Sequence, residues 1–243
     1  SNVDGTVAVG SSALAALTSG AGNVAIGYQA LSANTTGGNN LMIGYQTGVS
    51  ANDGNFSHNI GIGNYVFDGV ASGIDAQYNT AIGYASMSGV LTDTAHNNTA
   101  VGKDALLALT SGSSNTSIGS NSGYTLSTGV RNTFIGNSAG YATVDVDNAV
   151  FIGYNAGSGA DITDAADGTI GIGTSALAAL TSGEKNTVVG YSAGATLTTG
   201  ERNCVLGYEA LDGATTETDD NVAIGFASMG GAIGTEQVNE CIA

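Results

Sequence analysis

The sequence predicts an all-β protein, a parallel β-solenoid of about 13 coils with 17–20 residues in each coil. A glycine that follows Val, Ile or Leu recurs thirteen times at intervals of 17 to 20 residues. Asn stands four residues before this anchor glycine in ten of the thirteen repeats. The 39 glycines recur too often to leave room for regular helices over most of the chain. The anchor glycines are Gly10, Gly27, Gly44, Gly63, Gly83, Gly102, Gly119, Gly136, Gly153, Gly173, Gly190, Gly207 and Gly225.

Each repeat begins with a short strand that ends at the anchor glycine. Val24 and Ile26 share one face of this strand, because side chains alternate with a period of two, and Ala25 lies on the other face. We expect the aliphatic residues of the strands to join the alanines and leucines of each repeat in a thin core. The positions that define the repeat are Asn23, Ile26, Gly27, Asn115, Ile118, Gly119, Asn186, Val189 and Gly190.

The polar and glycine positions of the repeat indicate turns. Asn tolerates left-handed backbone and bonds to its own main chain, and asparagines stacked from coil to coil can form an amide ladder. The anchor glycine suits a bend or a close approach of another backbone. A Thr/Ser-Thr/Ser-Gly sequence, such as 35–37, closes six of the seven 17-residue repeats.

A second corner is predicted three to four residues after the anchor glycine. The residue three positions after the glycine is small in all repeats except at Val66, and the next residue is Leu, Met or Phe in eight repeats, as at Leu31, and Gly in five, as at Gly48. We expect a short second strand at this corner, with a neighbouring coil or chain filling the space above each glycine. The helix-like stretches 12–20 and 175–183 fall in register with this corner and its turn, so the repeat predicts the same structure for them.

Composition restricts the partners of the chain. Four Lys+Arg against 20 Asp+Glu, a net charge of −16, exclude nucleic acid as a partner and disfavour anionic membranes. The sequence contains no run of 18 apolar residues, so we expect no membrane insertion by this segment. Cys204 and Cys241 are interpreted as small apolar fillers. We expect residues 1–243 to form a single repeat domain, a fragment of a longer fibre protein, and its thin coils to favour an oligomer.

The repeats at 23–30, 98–105 and 221–225, which read NVAIGYQA, NTAVGKDA and NVAIG, resemble the YadA-like head of trimeric autotransporter adhesins. The longer form of the repeat, with the Thr-Thr-Gly turn, is similar to repeats of bacteriophage tail fibres. Of the two families, this form favours the tail fibres over the adhesins. The resemblance implies a left-handed β-roll with three identical chains side by side. It also implies an extracellular location, on a virion or on a bacterial cell surface.

The function that the resemblance implies is structural and adhesive, attachment to a cell surface through a glycan or protein receptor. The alternatives are an ice-binding or other surface-binding solenoid and a passive spacer shaft. We expect no enzymatic activity. The two G-x-S-x-G sequences at 136–140 and 190–194 occupy an ordinary repeat position, and the two histidines, His58 and His96, lie in variable turns. A six-residue period typical of β-helix acyltransferases is also absent from the sequence.

Two further features are candidates for binding. Acidic turns at 145–147, 161–167 and 219–220 offer oxygen ligands for Ca²⁺ but no complete loop signature, so a solvated acidic surface is the simpler interpretation, and no cofactor is expected. An aromatic residue follows the anchor glycine in seven repeats, and such a column could bind a glycan or a receptor, or pack between coils or chains. The column consists of Tyr28, Tyr45, Tyr84, Tyr154, Tyr191, Tyr208 and Phe226.

Overall fold

The computed structural model describes residues 3–52, 56–213 and 218–231, together with the backbone of 238–239. The chain divides into two compact units, Ser1–Asn121 and Ser122–Ala243. Strands and turns make up nearly all of the described residues of both units, and the helical structure among them is one 3₁₀ turn, Asp164–Ala166. The all-β prediction is therefore confirmed.

Thirteen strands of three residues end immediately before the anchor glycines, as predicted. Unit 1 contains β1 (Val7–Val9), β2 (Val24–Ile26), β3 (Leu41–Ile43), β4 (Ile60–Ile62), β5 (Thr80–Ile82), β6 (Thr99–Val101) and β7 (Thr116–Ile118). Unit 2 contains β8 (Thr133–Ile135), β9 (Val150–Ile152), β10 (Ile170–Ile172), β11 (Thr187–Val189), β12 (Cys204–Leu206), β13 (Thr218–Asp219), β14 (Val222–Ile224) and β15 (Val238–Asn239).

Within each unit, successive three-residue strands pair in parallel and in register. Val24 lies beside Leu41, and Ile26 lies beside Ile43, so equivalent repeat positions form columns along the stack. The same register joins β8 to β9 and β12 to β14, while the two-residue strands β13 and β15 pair separately. This parallel stacking confirms the predicted β-solenoid.

The strand residues that point into the core are not the ones expected from the sequence. The middle residue of the strand is buried in β2–β12 and β14, whereas none of the residues that flank it is buried in any of the thirteen strands. Ala25 is fully buried, while Ile26 is 36% exposed, and Val9 and Leu206 are more than half exposed. The prediction that Val24 and Ile26 face the core was wrong. Alternation fixed which residues share a face, but the inward face is the one with small or variable residues.

The inward side chains come from three places in each coil. Besides the middle of the strand, the corner after the anchor glycine is buried, for example at Leu31 and Leu106. A third inward position lies seven residues after the anchor glycine, a position that the repeat analysis did not assign. It is occupied by fully buried leucines in four coils: Leu109, Leu126, Leu180 and Leu197.

The predicted second strand is absent from the described coils, where the corner is a run of turns. The residues two and four positions after the anchor glycine take left-handed backbone, as at Gln29 (φ 55°) and Leu31 (φ 49°). An extended strand requires negative φ at both positions, so the chain reverses here instead. The prediction of turns in place of helix at 12–20 and 175–183 is confirmed.

Large and small residues alternate between the strand and the corner of one coil. Gly140 follows Phe134, and a Cβ atom at Gly140 would lie 2.9 Å from the Phe134 ring. A Cβ atom at Gly157 would lie 2.4 Å from the ring of Phe151. These phenylalanines belong to the same coil as the glycine, so at these two positions the space is filled from within the coil. At Gly48 and Gly194 the nearest side chain is instead a leucine of the preceding coil, Leu31 at 3.1 Å and Leu177 at 3.2 Å, as expected.

The predicted asparagine ladder is present in both units. In unit 1 it runs through Asn23, Asn40, Asn59, Asn79, Asn98 and Asn115, and in unit 2 through Asn186, Asn203 and Asn221. In each step the side-chain oxygen accepts the backbone N–H of the next asparagine at 2.9–3.1 Å. All of these asparagines are buried, so the ladder satisfies polar groups inside the solenoid.

Twelve of the thirteen anchor glycines, all except Gly225, are in close backbone contact with the next coil. Gly27 has a φ of 137°, and a Cβ atom there would lie 2.1 Å from the carbonyl oxygen of Gly44. Both the backbone angle and the contact exclude other residues.

Candidate functional site

The outward side of the strands forms an apolar surface, which we call the aliphatic sheet face. It consists of the first and third residues of the thirteen three-residue strands. The third position is aliphatic in every strand: Val9, Ile26, Ile43, Ile62, Ile82, Val101, Ile118, Ile135, Ile152, Ile172, Val189, Leu206 and Ile224. The first position is Val, Leu or Ile in seven strands, Thr in five and the exposed, free Cys204 in one.

The side chains of the aliphatic sheet face are partly or largely exposed in both units. If each outward side chain leaves about 40–80 Å² of apolar surface in water, each unit exposes roughly 500 Å² or more. A patch of this size reaches the upper range for monomeric soluble proteins, where large patches mark interaction sites. The face is continuous from strand to strand within a unit because the register is unbroken.

In unit 1 the aromatic column forms a ladder of four rings. Tyr28 and Tyr45 are stacked, with ring centroids 5.2 Å apart. Tyr65 lies edge-on between Tyr45 and Tyr84, at 5.4 Å and 5.6 Å. Sequence reasoning missed Tyr65, because it stands two residues after its anchor glycine while Asn64 occupies the aromatic position. Tyr65 could have been found from the sequence, because it is an aromatic residue directly beside the position where the column is interrupted by Asn64.

In unit 2 the ladder has three nearly parallel rings. Tyr208 is stacked between Tyr191 and Phe226, at 5.0 Å and 5.5 Å, with interplanar angles of 10°. Tyr154, which was predicted for the same column, has no ring partner among the described residues and is 56% exposed. The structure therefore brings six predicted residues into two ladders and leaves Tyr154 apart.

Ring orientation bears on what the ladders can bind. A sugar packs on an aromatic residue through the face of the ring, and in a stacked pair each ring covers a face of the other. The parallel rings of Tyr191 and Tyr208 therefore cover one another and present mainly their edges and hydroxyl groups to solvent. This geometry favours packing between coils as the main role of the ladders.

The few cations of the chain are held in surface ion pairs. Lys103 contacts Asp104 at 2.8 Å, Lys185 contacts Glu184, and Arg202 binds Asp220 at 2.6 Å. The Arg202 hydrogen bond lowers the pKa of Asp220. Such exposed pairs contribute little to stability, but they leave the remaining carboxylates as the dominant surface charge.

The acidic turns predicted as candidate Ca²⁺ ligands are tied to the backbone. Asp167 accepts the backbone N–H of Asp147 at 2.7 Å, and Asp145 accepts that of Asp164 at 3.0 Å. Burial raises the pKa of Asp167, and the charges of Asp147, Asp164 and Asp145 add to this effect. Among the described residues, no group of three or more His, Cys, Asp or Glu side chains is arranged to hold a metal ion.

The G-x-S-x-G serines follow the repeat geometry. Ser138 and Ser192 take left-handed backbone with φ of 55° and 49°, as Gln29 does at the same position of its coil. Of the histidines, His58 stacks on Tyr78 at 5.0 Å, and His96 accepts the backbone N–H of Gln77 at 3.1 Å. Each of these residues has a role in stacking or turning the coils.

No helix among the described residues has the length and hydropathy needed to cross a membrane. Comparison with protein-family models, with curated proteins and with solved structures found no match to this chain.

Proposed function

We propose that this chain is a segment of a homotrimeric, non-enzymatic fibre of a virion or bacterial surface that attaches to a target cell. The observation that carries the proposal is the aliphatic sheet face. In an extracellular fibre its thirteen strands would face water unless another surface covers them.

A second copy of the same chain fits this face. Within each unit the face is apolar and repeats at the strand spacing of ~4.8 Å, so an identical face matches it coil by coil. Each unit offers roughly 500 Å² or more of this face, a large part of the ~800 Å² per partner that stable interfaces bury. The described charged residues lie outside the aliphatic sheet face, so the net charge of −16 keeps the other surfaces of neighbouring copies apart.

The resemblance to YadA-like heads and tail fibres supports three copies and an adhesive role. The Thr-Thr-Gly form of the repeat favours a tail fibre. The receptor is a glycan or a protein of the target surface, and the outward turns supply the contact chemistry, because the sheet face is covered by the sister chains. The aromatic ladders contribute to cohesion between coils.

The mass of the native particle in solution tests the assembly. Multi-angle light scattering is expected to give three times the 23.7 kDa of the chain. Ile82→Asp places a charge on the aliphatic sheet face and is expected to lower that mass, whereas the matched control Asn137→Asp, at an exposed turn residue, leaves it unchanged. A monomeric wild-type particle would remove the basis of the proposal.

Attachment is tested on the same particle. The labelled trimer is incubated with intact bacteria, with epithelial cells and with a glycan array, and retention on one of them is expected. A trimer that binds none of these would leave the passive spacer shaft as the function. A monomer that inhibits ice growth would support the ice-binding alternative.

A further inference from the structure

Threonines interrupt the aliphatic sheet face at consecutive strands of unit 1. Thr80, Thr99 and Thr116 are the first residues of β5, β6 and β7, and they lie side by side in the parallel register. The first positions of β1 to β4 are all aliphatic. Unit 1 therefore carries an aliphatic block of four strands followed by a threonine block of three.

The hydroxyl groups of this threonine block have no hydrogen-bond partner among the described residues of the chain. Turn threonines differ in this respect. Thr18 Oγ1 donates to the carbonyl oxygen of Thr35 at 3.0 Å, and Thr92 Oγ1 donates to that of Thr110 at 3.1 Å. The turn hydroxyls thus link coils, whereas those of the threonine block remain available on the outward face.

Such hydroxyls matter once the face is covered. A hydroxyl group that is buried against aliphatic side chains without a partner loses its hydrogen bonds to water and costs free energy. The same hydroxyl buried against another hydroxyl retains a hydrogen bond. The threonine block of one copy is therefore best placed against the threonine block of the next copy.

The aliphatic positions cannot specify such an alignment. Their pattern repeats in every coil, so a copy displaced along the stack by one coil spacing, ~4.8 Å, buries nearly the same apolar area. The threonine block breaks this repetition, as a single polar residue does at the interface of a coiled coil.

We propose that Thr80, Thr99 and Thr116 fix the axial register between copies of the chain, by hydrogen bonding to the same threonines of the neighbouring copies. This inference rests on the proposed function, because it requires copies that meet through the aliphatic sheet face. In this arrangement the threonine block determines the register of the assembled copies, and the aliphatic columns supply most of the binding free energy between them.

The test compares two triple variants that differ in the hydroxyl group. Thr80→Val, Thr99→Val and Thr116→Val together keep the β-branched shape and remove the hydroxyls, while the matched control replaces the same threonines by Ser and keeps them. The parent protein and both variants carry Cys204→Ala, which adds no hydroxyl to the aliphatic sheet face, and Cys241→Ala. In each of them a nitroxide label is attached at Val90→Cys, a position between strands that is 60% exposed.

Pulsed electron paramagnetic resonance then measures the distances between labels on different copies. The parent protein and the Ser variant are expected to give one narrow distance distribution. The Val variant is expected to keep the mass of the assembly but to broaden the distribution by about one coil spacing, ~4.8 Å, or to split it. A Val variant with the narrow distribution of the parent would overturn the inference.

The remaining outcomes separate this inference from the proposed function. An assembled parent protein with a broad distribution overturns the register inference and leaves the assembly intact. A monomeric parent protein, with no distances between copies, overturns the proposed function and this inference together.

Discussion

The side-chain oxygen of Asn59 accepts two hydrogen bonds from Asn79, one from its backbone N–H at 2.9 Å and one from its side-chain amide at 3.2 Å. The amide of Asn59 itself donates to the carbonyl oxygen of Ala76 at 2.9 Å. Each asparagine of the ladder thus connects its own coil to the next through buried bonds. Loss of one asparagine affects two coils.

Asn59→Ala is expected to lower the free energy of unfolding by about 2–4 kcal/mol, because it removes four buried hydrogen bonds and leaves the backbone N–H of Asn79 without its acceptor. The midpoint of urea unfolding at fixed protein concentration measures the effect. Asn137→Ala, at an exposed asparagine, is the control and should change stability by less than about 0.5 kcal/mol. Equal effects of the two substitutions would contradict a structural role of the ladder.

Ala149→Asn is expected to stabilise unit 2 by about 1 kcal/mol. Ala149 occupies the ladder position, and its backbone N–H donates to the side-chain oxygen of Asn132 at 2.8 Å, but it offers no side-chain acceptor to Thr169. An asparagine there would supply that acceptor. Urea unfolding of the variant and of Ala149→Ser, which is too short to repeat the geometry, checks the expectation. The Asn variant should be the more stable of the two.

The size pair Phe134 and Gly140 is expected to show strong coupling. Phe134→Ala alone should cost about 3–5 kcal/mol through the cavity that it creates. Gly140→Leu alone should destabilise by a clash with the ring, which already lies 2.9 Å from a Cβ atom at this position. The double variant reproduces the Ala25 and Leu31 arrangement, so it should recover at least about 2 kcal/mol relative to the sum of the single effects.

The control for this pair is Phe134→Ala combined with Gly194→Leu, three coils away. These two substitutions share no contact, so their effects should add to within about 0.5 kcal/mol. Additive effects for the near pair, measured in the same unfolding experiment, would show that the strand and the corner of one coil do not fill a common space.

Tyr208→Ala is expected to lower stability by about 1–2 kcal/mol more than Tyr154→Ala. Both tyrosines follow an anchor glycine and are about half exposed, but Tyr208 stacks on Tyr191 and Phe226 while Tyr154 has no ring partner among the described residues. Thermal unfolding of the two variants gives the comparison. If Tyr208→Ala left stability unchanged and instead abolished retention on cells, the ladder would be a binding surface.

Asp68→Asn is expected to stabilise the protein at neutral pH. Burial raises the pKa of Asp68 above its ordinary value of 3.8, although backbone hydrogen bonds from Asp68 and Gly69 oppose the shift. A raised pKa in the folded state means that the carboxyl group favours folding below the unfolded pKa, and that this contribution is lost as the pH rises through the folded pKa. The variant should therefore become more stable than the parent protein as the pH rises above 3.8, and the difference should increase with pH.

Urea midpoints at pH 3, 5 and 7 provide this measurement, with the parent protein at each pH as its own reference. The two proteins should differ least at pH 3, where the carboxyl group is protonated in both states. A difference that stayed constant across the three values would assign the effect to the substitution itself and not to the charge.

Much of the fold was predicted from the conformational preferences and hydrogen-bonding groups of individual residues. Gly27 and its counterparts were predicted to bend the chain because glycine suits such a bend. Asn23 was predicted to join an amide ladder because asparagines recur at the same position of most coils. The left-handed turns at Leu31 and Gly48 were not predicted. Leucine rarely adopts positive φ, so its presence at this position gives no indication of such a turn. Tyr65 escaped because contact across coils does not depend on identical repeat positions.

The sequence by itself determined the strand positions, the period, the parallel stacking of asparagine and glycine, and the alternation that places Val24 and Ile26 together. The strand positions and the shared face follow from backbone geometry and from a period of two within one repeat, whereas the parallel stacking follows from the recurrence of the same residues every 17 to 20 positions. Only the tertiary structure decided which face of the strand is inside, because that depends on the space that one coil encloses. The interior admits Ala25 with Leu31, or Phe134 with Gly140, and the aliphatic residues are left on the outer face.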